Sequence, residues 1–129
     1  MKKILAILAL IVLSASILCG CAKKSVLSKN DPVTITVWHY YNGTQQNIFD
    51  ESVRKFNETT GAELGIIVEA QNQGDVNGLS EKVLDSANGV VGADEMPDIF
   101  SAYADTAYAI NQMGLAVDIT QYLTEEEQA

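Results

Sequence analysis

Two hydrophobic periods alternate along this chain and predict three strands, each followed by a helix. Val33-Thr34-Ile35-Thr36-Val37-Trp38 is β-branched and aromatic throughout, which suits a strand with both faces covered or half covered. Asn42-Gly43-Thr44 supplies a turn, with Thr44 placed to cap a helix on which Ile48, Phe49, Val53 and Phe56 recur at helical spacing. Gly61, suited to a left-handed cap, is the expected stop. Gly65-Ile66-Ile67-Val68-Glu69-Ala70 predicts a second strand, followed by a polar loop from Gln71 to Asp75. Val76, Leu79, Val83, Leu84 and Ala87 mark one face of a second helix, which Asn88-Gly89 can end. Beyond a loop containing Gly92 and Pro97, Asp98-Ile99-Phe100-Ser101-Ala102 predicts a third, weaker strand. Asp105 is placed to cap a third helix through Met113, closed by Gly114.

Alternation of this kind predicts an α/β fold: a parallel sheet in βαβαβα order, with right-handed crossovers and helices on both faces. Ligands of such sheets sit beyond the carboxyl ends of the strands, where the strand order reverses. In this chain those ends are the loops at Trp38 to Thr44, Gln71 to Asp75, and Ala102 to Asp105.

The amino terminus has a different pattern. Lys2 and Lys3 precede an apolar run from Ile4 to Leu18, broken only by Ser14 and Ser16, and the small residue Gly20 stands before Cys21. This is the three-part layout of a secretory signal. At fifteen residues the run is shorter than the roughly 20 needed to span a bilayer. Leu18-Cys19-Gly20-Cys21 resembles a bacterial lipoprotein signal, which implies cleavage after residue 20 and a diacylglyceryl thioether on Cys21. Cleavage before Cys19 would set bulky Leu18 at the cut. The alternatives are an uncleaved hydrophobic anchor and a disulfide, the latter strained because one residue separates the two thiols. The expected division is a signal peptide over 1–20, a flexible tether over 21–32 and an α/β unit over 33–129.

Removing the signal changes the charge balance. The whole chain carries −9, and residues 21–129 keep six basic side chains against seventeen acidic ones, a formal charge of −11. That argues against binding nucleic acid through its phosphates, which needs clustered Lys and Arg. With no cysteine after Cys21, the exported part owes nothing to disulfides.

Candidate chemistry collects in the strand-end loops. Aromatic faces bind the C–H side of a sugar ring, and amide and hydroxyl groups bind its hydroxyls. Tyr40, Tyr41 and Asn42 in the first loop are ligand candidates, whereas Trp38, the strand's last aromatic residue, reads more readily as core. In the third loop Tyr103 follows the strand, and the Asp105 carboxylate can accept two hydroxyl hydrogen bonds from a polyol or serve only as the helix cap. His39 is the only histidine and has no companion for a metal set, so it reads as a polar loop residue. Asp94 and Glu95 read as solvated, and Glu125, Glu126 and Glu127 as an exposed helix face. There is no Gly-rich phosphate loop after a strand, no nucleophile elbow and no paired metal-ligand spacing, so neither an enzyme nor a cofactor is expected.

Two segments then carry a family resemblance. VTITVWHYYNG with the helix reaching RKFNETTGAELGIIVEA, and PDIFSAYADTAYAINQMGLAVDITQYL, together resemble the start of a family 1 extracellular solute-binding protein of an ABC importer. Trp38-His39 followed by Gly43, and the Pro97 to Leu115 spacing, are similar to the members that bind oligosaccharides and glycerol phosphate. The resemblance covers about residues 33 to 124. It implies a lipid-anchored receptor that captures a small solute, usually a sugar or sugar derivative, and delivers it to permease subunits in the membrane. It also places Asp105 where the family has a sugar-contacting aspartate, and Asn42 near another polar contact. Members have two α/β lobes of the type II periplasmic-binding architecture, and they continue for several hundred residues. The chain is therefore expected to hold the opening of the first lobe, without hinge or second lobe. The rivals are a receptor for a non-sugar solute and an exported, lipid-anchored α/β enzyme or adhesion domain.

Overall fold

The computed structural model describes residues 27–128. The expected signal peptide, Cys21 and the first half of the tether lie outside them. Within them the chain is α/β: strands β1 (Val33–His39), β2 (Ile66–Asn72) and β3 (Ile99–Phe100) alternate with helices α1 (Gly43–Phe56), α2 (Val76–Ala87) and α3 (Ala104–Gln112). The three strands form one parallel sheet in the order β2-β1-β3. β1 is central, because its apolar residues are the ones that can be covered from both sides.

β1 and β2 pair over their whole lengths, from Val33 opposite Ile66 to His39 opposite Asn72. β3 contributes only two rungs, Val37 opposite Ile99 and Trp38 opposite Phe100. Its docking is completed by a side chain: Asp98 Oδ2 accepts from Thr36 N at 2.8 Å and from Thr36 Oγ1 at 2.9 Å, while Asp98 N donates to Thr36 Oγ1 at 3.0 Å. The third strand is thus shorter than the expected five residues, and a carboxylate takes the place of a backbone acceptor. A similar substitution closes the outer edge of β2. Asn57 Nδ2 donates to Val68 O at 2.9 Å and its Oδ1 accepts from Val68 N at 2.8 Å, satisfying groups that an edge strand otherwise leaves open.

Successive strand residues point to opposite faces of a sheet. Trp38 therefore packs with Leu79 and Val83 of α2 and Ile110 of α3, and these four buried side chains make the core, with Tyr40, Leu84, Met96 and Phe100 against it. His39 turns to the other face and meets Phe49 of α1. The helices cover both faces, as the alternation predicts, and the reversal of direction falls at the carboxyl end of β1.

Three helix boundaries differ from the sequence expectation. α1 does not stop at Gly61: it passes through a π-type turn over Asn57–Gly61 and a last helical turn over Ala62–Leu64, and ends at Gly65 with φ 75°. Gly61 is buried with a helical φ of −59°; a Cβ there would lie 2.5 Å from Ile66 O, so this glycine serves close approach to β2. At Gly65 a side chain would run into the Ser28 carbonyl, in the turn that Ser28 and Asp31 close by an isolated bridge. The residue before α1 is Asn42, in extended conformation, so Thr44 lies inside the first turn instead of capping it. The residue before α3 is Tyr103, which makes Asp105 a first-turn carboxylate and not the cap. α2 begins as its sequence demands, with Asp75 Oδ1 accepting from Asn77 N and Gly78 N, each at 2.9 Å. Glu125 to Glu127 are exposed but lie in turns, not on a helix.

Candidate functional site

Hydrogen bonding carries the sheet one residue past each strand and thereby gathers the three loops. Gln73 N donates to His39 O at 2.8 Å, and Ser101 N donates to Trp38 O at 3.0 Å. The β1–α1 loop thus leaves the sheet with the β2–α2 loop on one side and the β3–α3 loop on the other.

Tyr40, Tyr41 and Tyr103 come together there. The Tyr40 and Tyr41 rings have centroids 5.8 Å apart, and Tyr40 lies 6.4 Å from Tyr103 at an interplanar angle of 55°. Tyr103 is 60% exposed, whereas Tyr40 is half-buried against the core. Tyr41 is the most constrained of the three. Its ring stacks on His39 at 5.2 Å and meets Phe49 edge-on at 5.0 Å, its backbone N donates to His39 Nδ1 at 3.2 Å, and its hydroxyl lies 3.4 Å from Ser101 Oγ.

Asn42 follows directly, exposed, with no side-chain bond to the helix it precedes. Asp105 is exposed in the first turn of α3, where its Oδ1 accepts from Thr106 N at 2.8 Å and its charge favours the positive end of the helix. The next side chain, Thr106, is buried and donates to Ser80 Oγ at 3.1 Å, fixing α3 against α2. Of the five sequence-predicted ligand residues, the structure joins the three tyrosines into one aromatic surface. Asn42 adjoins it through Tyr41, and Asp105 through Tyr103 two residues earlier.

His39 and Trp38 resolve differently from each other. Trp38 is core, 3% exposed, with its indole N–H donating to Gln71 Oε1 at 3.0 Å. His39, expected in a loop, is the last residue of β1 and only 1% exposed. Burial holds its imidazole pKa below the usual value, with the Asp50 carboxylate acting in the opposite direction. The neutral ring is what the site needs, since Nδ1 is an acceptor for the Tyr41 amide. Sequence alternation held the signal for this: a residue following a core tryptophan in a strand faces the opposite layer.

Three cavities lie away from this cluster. One of about 250 Å³ is lined by Trp38, Lys82, Ser86 and Val91, and one of about 390 Å³ by Thr36, Gln71, Glu95 and Asp98. A third, of about 270 Å³, is apolar, between β3, α3 and Leu115 to Ile119. None of the three is lined by Tyr40, Tyr41, Asn42, Tyr103 or Asp105. Tyr103 is the exposed ring of the cluster and Tyr40 and Tyr41 are half-buried beside it, with the Asn42 carboxamide and the Asp105 carboxylate exposed next to them along the chain. Such a surface can stack a ring and exchange hydrogen bonds with hydroxyl groups.

Among the described residues no group of three or more His, Cys, Asp or Glu could hold a metal ion, and no helix is long and apolar enough to cross a membrane. No protein-family model matches the chain, and neither the curated proteins nor the solved structures contain a match to it.

Proposed function

We propose that the chain is the substrate-binding component of an ABC importer, lipid-anchored through Cys21, for a carbohydrate or sugar derivative. The described sheet is then the opening of the first of two lobes. The observation that carries this reading is the convergence of Tyr40, Tyr41 and Tyr103 at the carboxyl end of β1, where the strand order reverses. In that arrangement Tyr103 offers an accessible ring face, Tyr40 walls the platform from the core side, and Asn42 and Asp105 supply polar groups to ligand hydroxyls. Their chemistry suits a neutral, polyhydroxylated ring better than an anion, because no basic side chain lies among them. An exposed ring at the strand ends also fits a receptor whose second lobe closes over the solute.

Calorimetry of the full-length gene product against a panel of mono- and oligosaccharides and polyol phosphates tests this reading. Saturable heat with at least one of them is expected. Failure with every member of the panel contradicts the carbohydrate assignment.

A further inference from the structure

Asn72 closes β2 opposite His39, and its carboxamide is used at both ends. Nδ2 donates to Tyr41 O at 2.7 Å and lies 3.3 Å from Gln46 Oε1, while Oδ1 accepts from Gly74 N at 2.8 Å. One side chain therefore ties the β1–α1 loop, the first turn of α1 and the β2–α2 loop together. Tyr41 is the residue on which these ties converge. Its carbonyl is held from β2 by Asn72, its amide from β1 by His39 and its hydroxyl from the end of β3 by Ser101. A peptide group fixed at the Tyr41 carbonyl fixes the chain direction on both sides of it. Those sides are Tyr40 and Asn42.

We infer that Asn72 is a positioning residue of the strand-end platform, acting through the Tyr41 carbonyl to set the directions in which Tyr40 and Asn42 face a ligand. Its effect on ligand affinity rests on the receptor reading above. The clamp itself does not.

Three substitutions separate the parts, each made in the full chain purified in detergent. Asn72→Asp keeps an acceptor for Gly74 N but has no donor for the Tyr41 carbonyl; Asn72→Ala removes both; Gln46→Ala removes only the second acceptor. Carbonyl ¹³C and ring ¹H resonances of Tyr41, with amide exchange at Gly74, report the two halves. Asn72→Asp is expected to shift the Tyr41 carbonyl and weaken its ring contact with His39 while Gly74 stays protected. Asn72→Ala should also lower Gly74 protection by roughly two- to tenfold, the equivalent of one net hydrogen bond. The Trp38 indole resonance should stay in place in both, which a general loss of structure would not allow. If Asn72→Ala does not fold, Asn72→Asp still decides. Unchanged Tyr41 resonances in Asn72→Asp overturn the inference.

Maltose, glucose and glycerol phosphate serve as ligand probes on the same proteins. A probe that binds the wild type should bind Asn72→Asp less tightly and Gln46→Ala about equally. Equal affinity for Asn72→Asp overturns the positioning role. If none of the three binds the wild type, the Tyr41 resonances alone decide the clamp.

Discussion

Replacing Asp98 by Ala should loosen the third strand and, with it, the loop that brings Tyr103 to the platform. β3 has two rungs on β1, and the Asp98 carboxylate adds hydrogen bonds of 2.8 and 2.9 Å to Thr36. Hydrogen bonds to a charged group contribute about 1.5–3 kcal/mol in net terms, and this carboxylate is exposed, so water can replace part of what is lost. A loss of about 1–2 kcal/mol follows. For a domain of this size each kcal/mol moves the thermal midpoint by about 4–8 °C, so thermal unfolding by circular dichroism should show a decrease of roughly 5–15 °C.

The pH dependence makes the test sharper. Hydrogen bonds from the Thr36 backbone and hydroxyl hold the Asp98 carboxyl below its ordinary pKa. A carboxyl that is more acidic when folded stabilises fully above its unfolded pKa, about 3.9, and loses that contribution as pH falls through the folded value. The difference between wild type and Asp98→Ala should therefore be constant above about pH 5 and shrink below about pH 4. An equal difference at pH 7 and pH 2, or no difference at pH 7, would refute the docking role of Asp98.

Two further predictions follow from other residues. Burial lowers the pKa of His39, so between neutral pH and the folded value the unfolded chain binds more protons, and stability must fall as pH falls from about 7 to 5. As this is the only histidine, His39→Phe should flatten that part of the profile in urea unfolding, and an unchanged slope would contradict the assignment. Cys21→Ser should release the chain from membranes or leave the precursor unprocessed; lipid labelling equal to that of the wild type would defeat the lipoprotein reading.

How much of this was legible in the sequence depended on whether one pattern or two acted on a residue. β1 and α2 were readable because period, turn residues and capping agree: Asp75 and Asn88-Gly89 bound α2 as expected, with φ 65° at Gly89. The end of α1 was misplaced because glycine has two uses. Gly61 meets the need for close packing and Gly65 the need for a left-handed backbone, and the sequence does not say which glycine does which. Asp105 suits both a cap and a ligand-binding carboxylate by residue type, but the extended residue before α3 is Tyr103, two positions earlier, so the carboxylate lies in the first turn. The tyrosine cluster was legible in its position, since Tyr40 and Tyr41 follow β1 directly and Tyr103 stands between β3 and α3. Its supports, Asn72 and Ser101, were not, because each acts through a hydrogen bond to Tyr41 from a different strand.

The central claim is that the tyrosine platform receives a sugar. Calorimetric titration of the full-length gene product and its Tyr103→Ala variant, with any panel sugar that the wild type binds, tests it most directly, and Tyr122→Ala provides an exposed-tyrosine control. Loss of one stacked ring face worth about 0.5–1.5 kcal/mol should weaken binding by roughly two- to tenfold in Tyr103→Ala and leave Tyr122→Ala unchanged. Equal affinities for wild type and Tyr103→Ala, or no sugar binding in the wild type, would contradict the account.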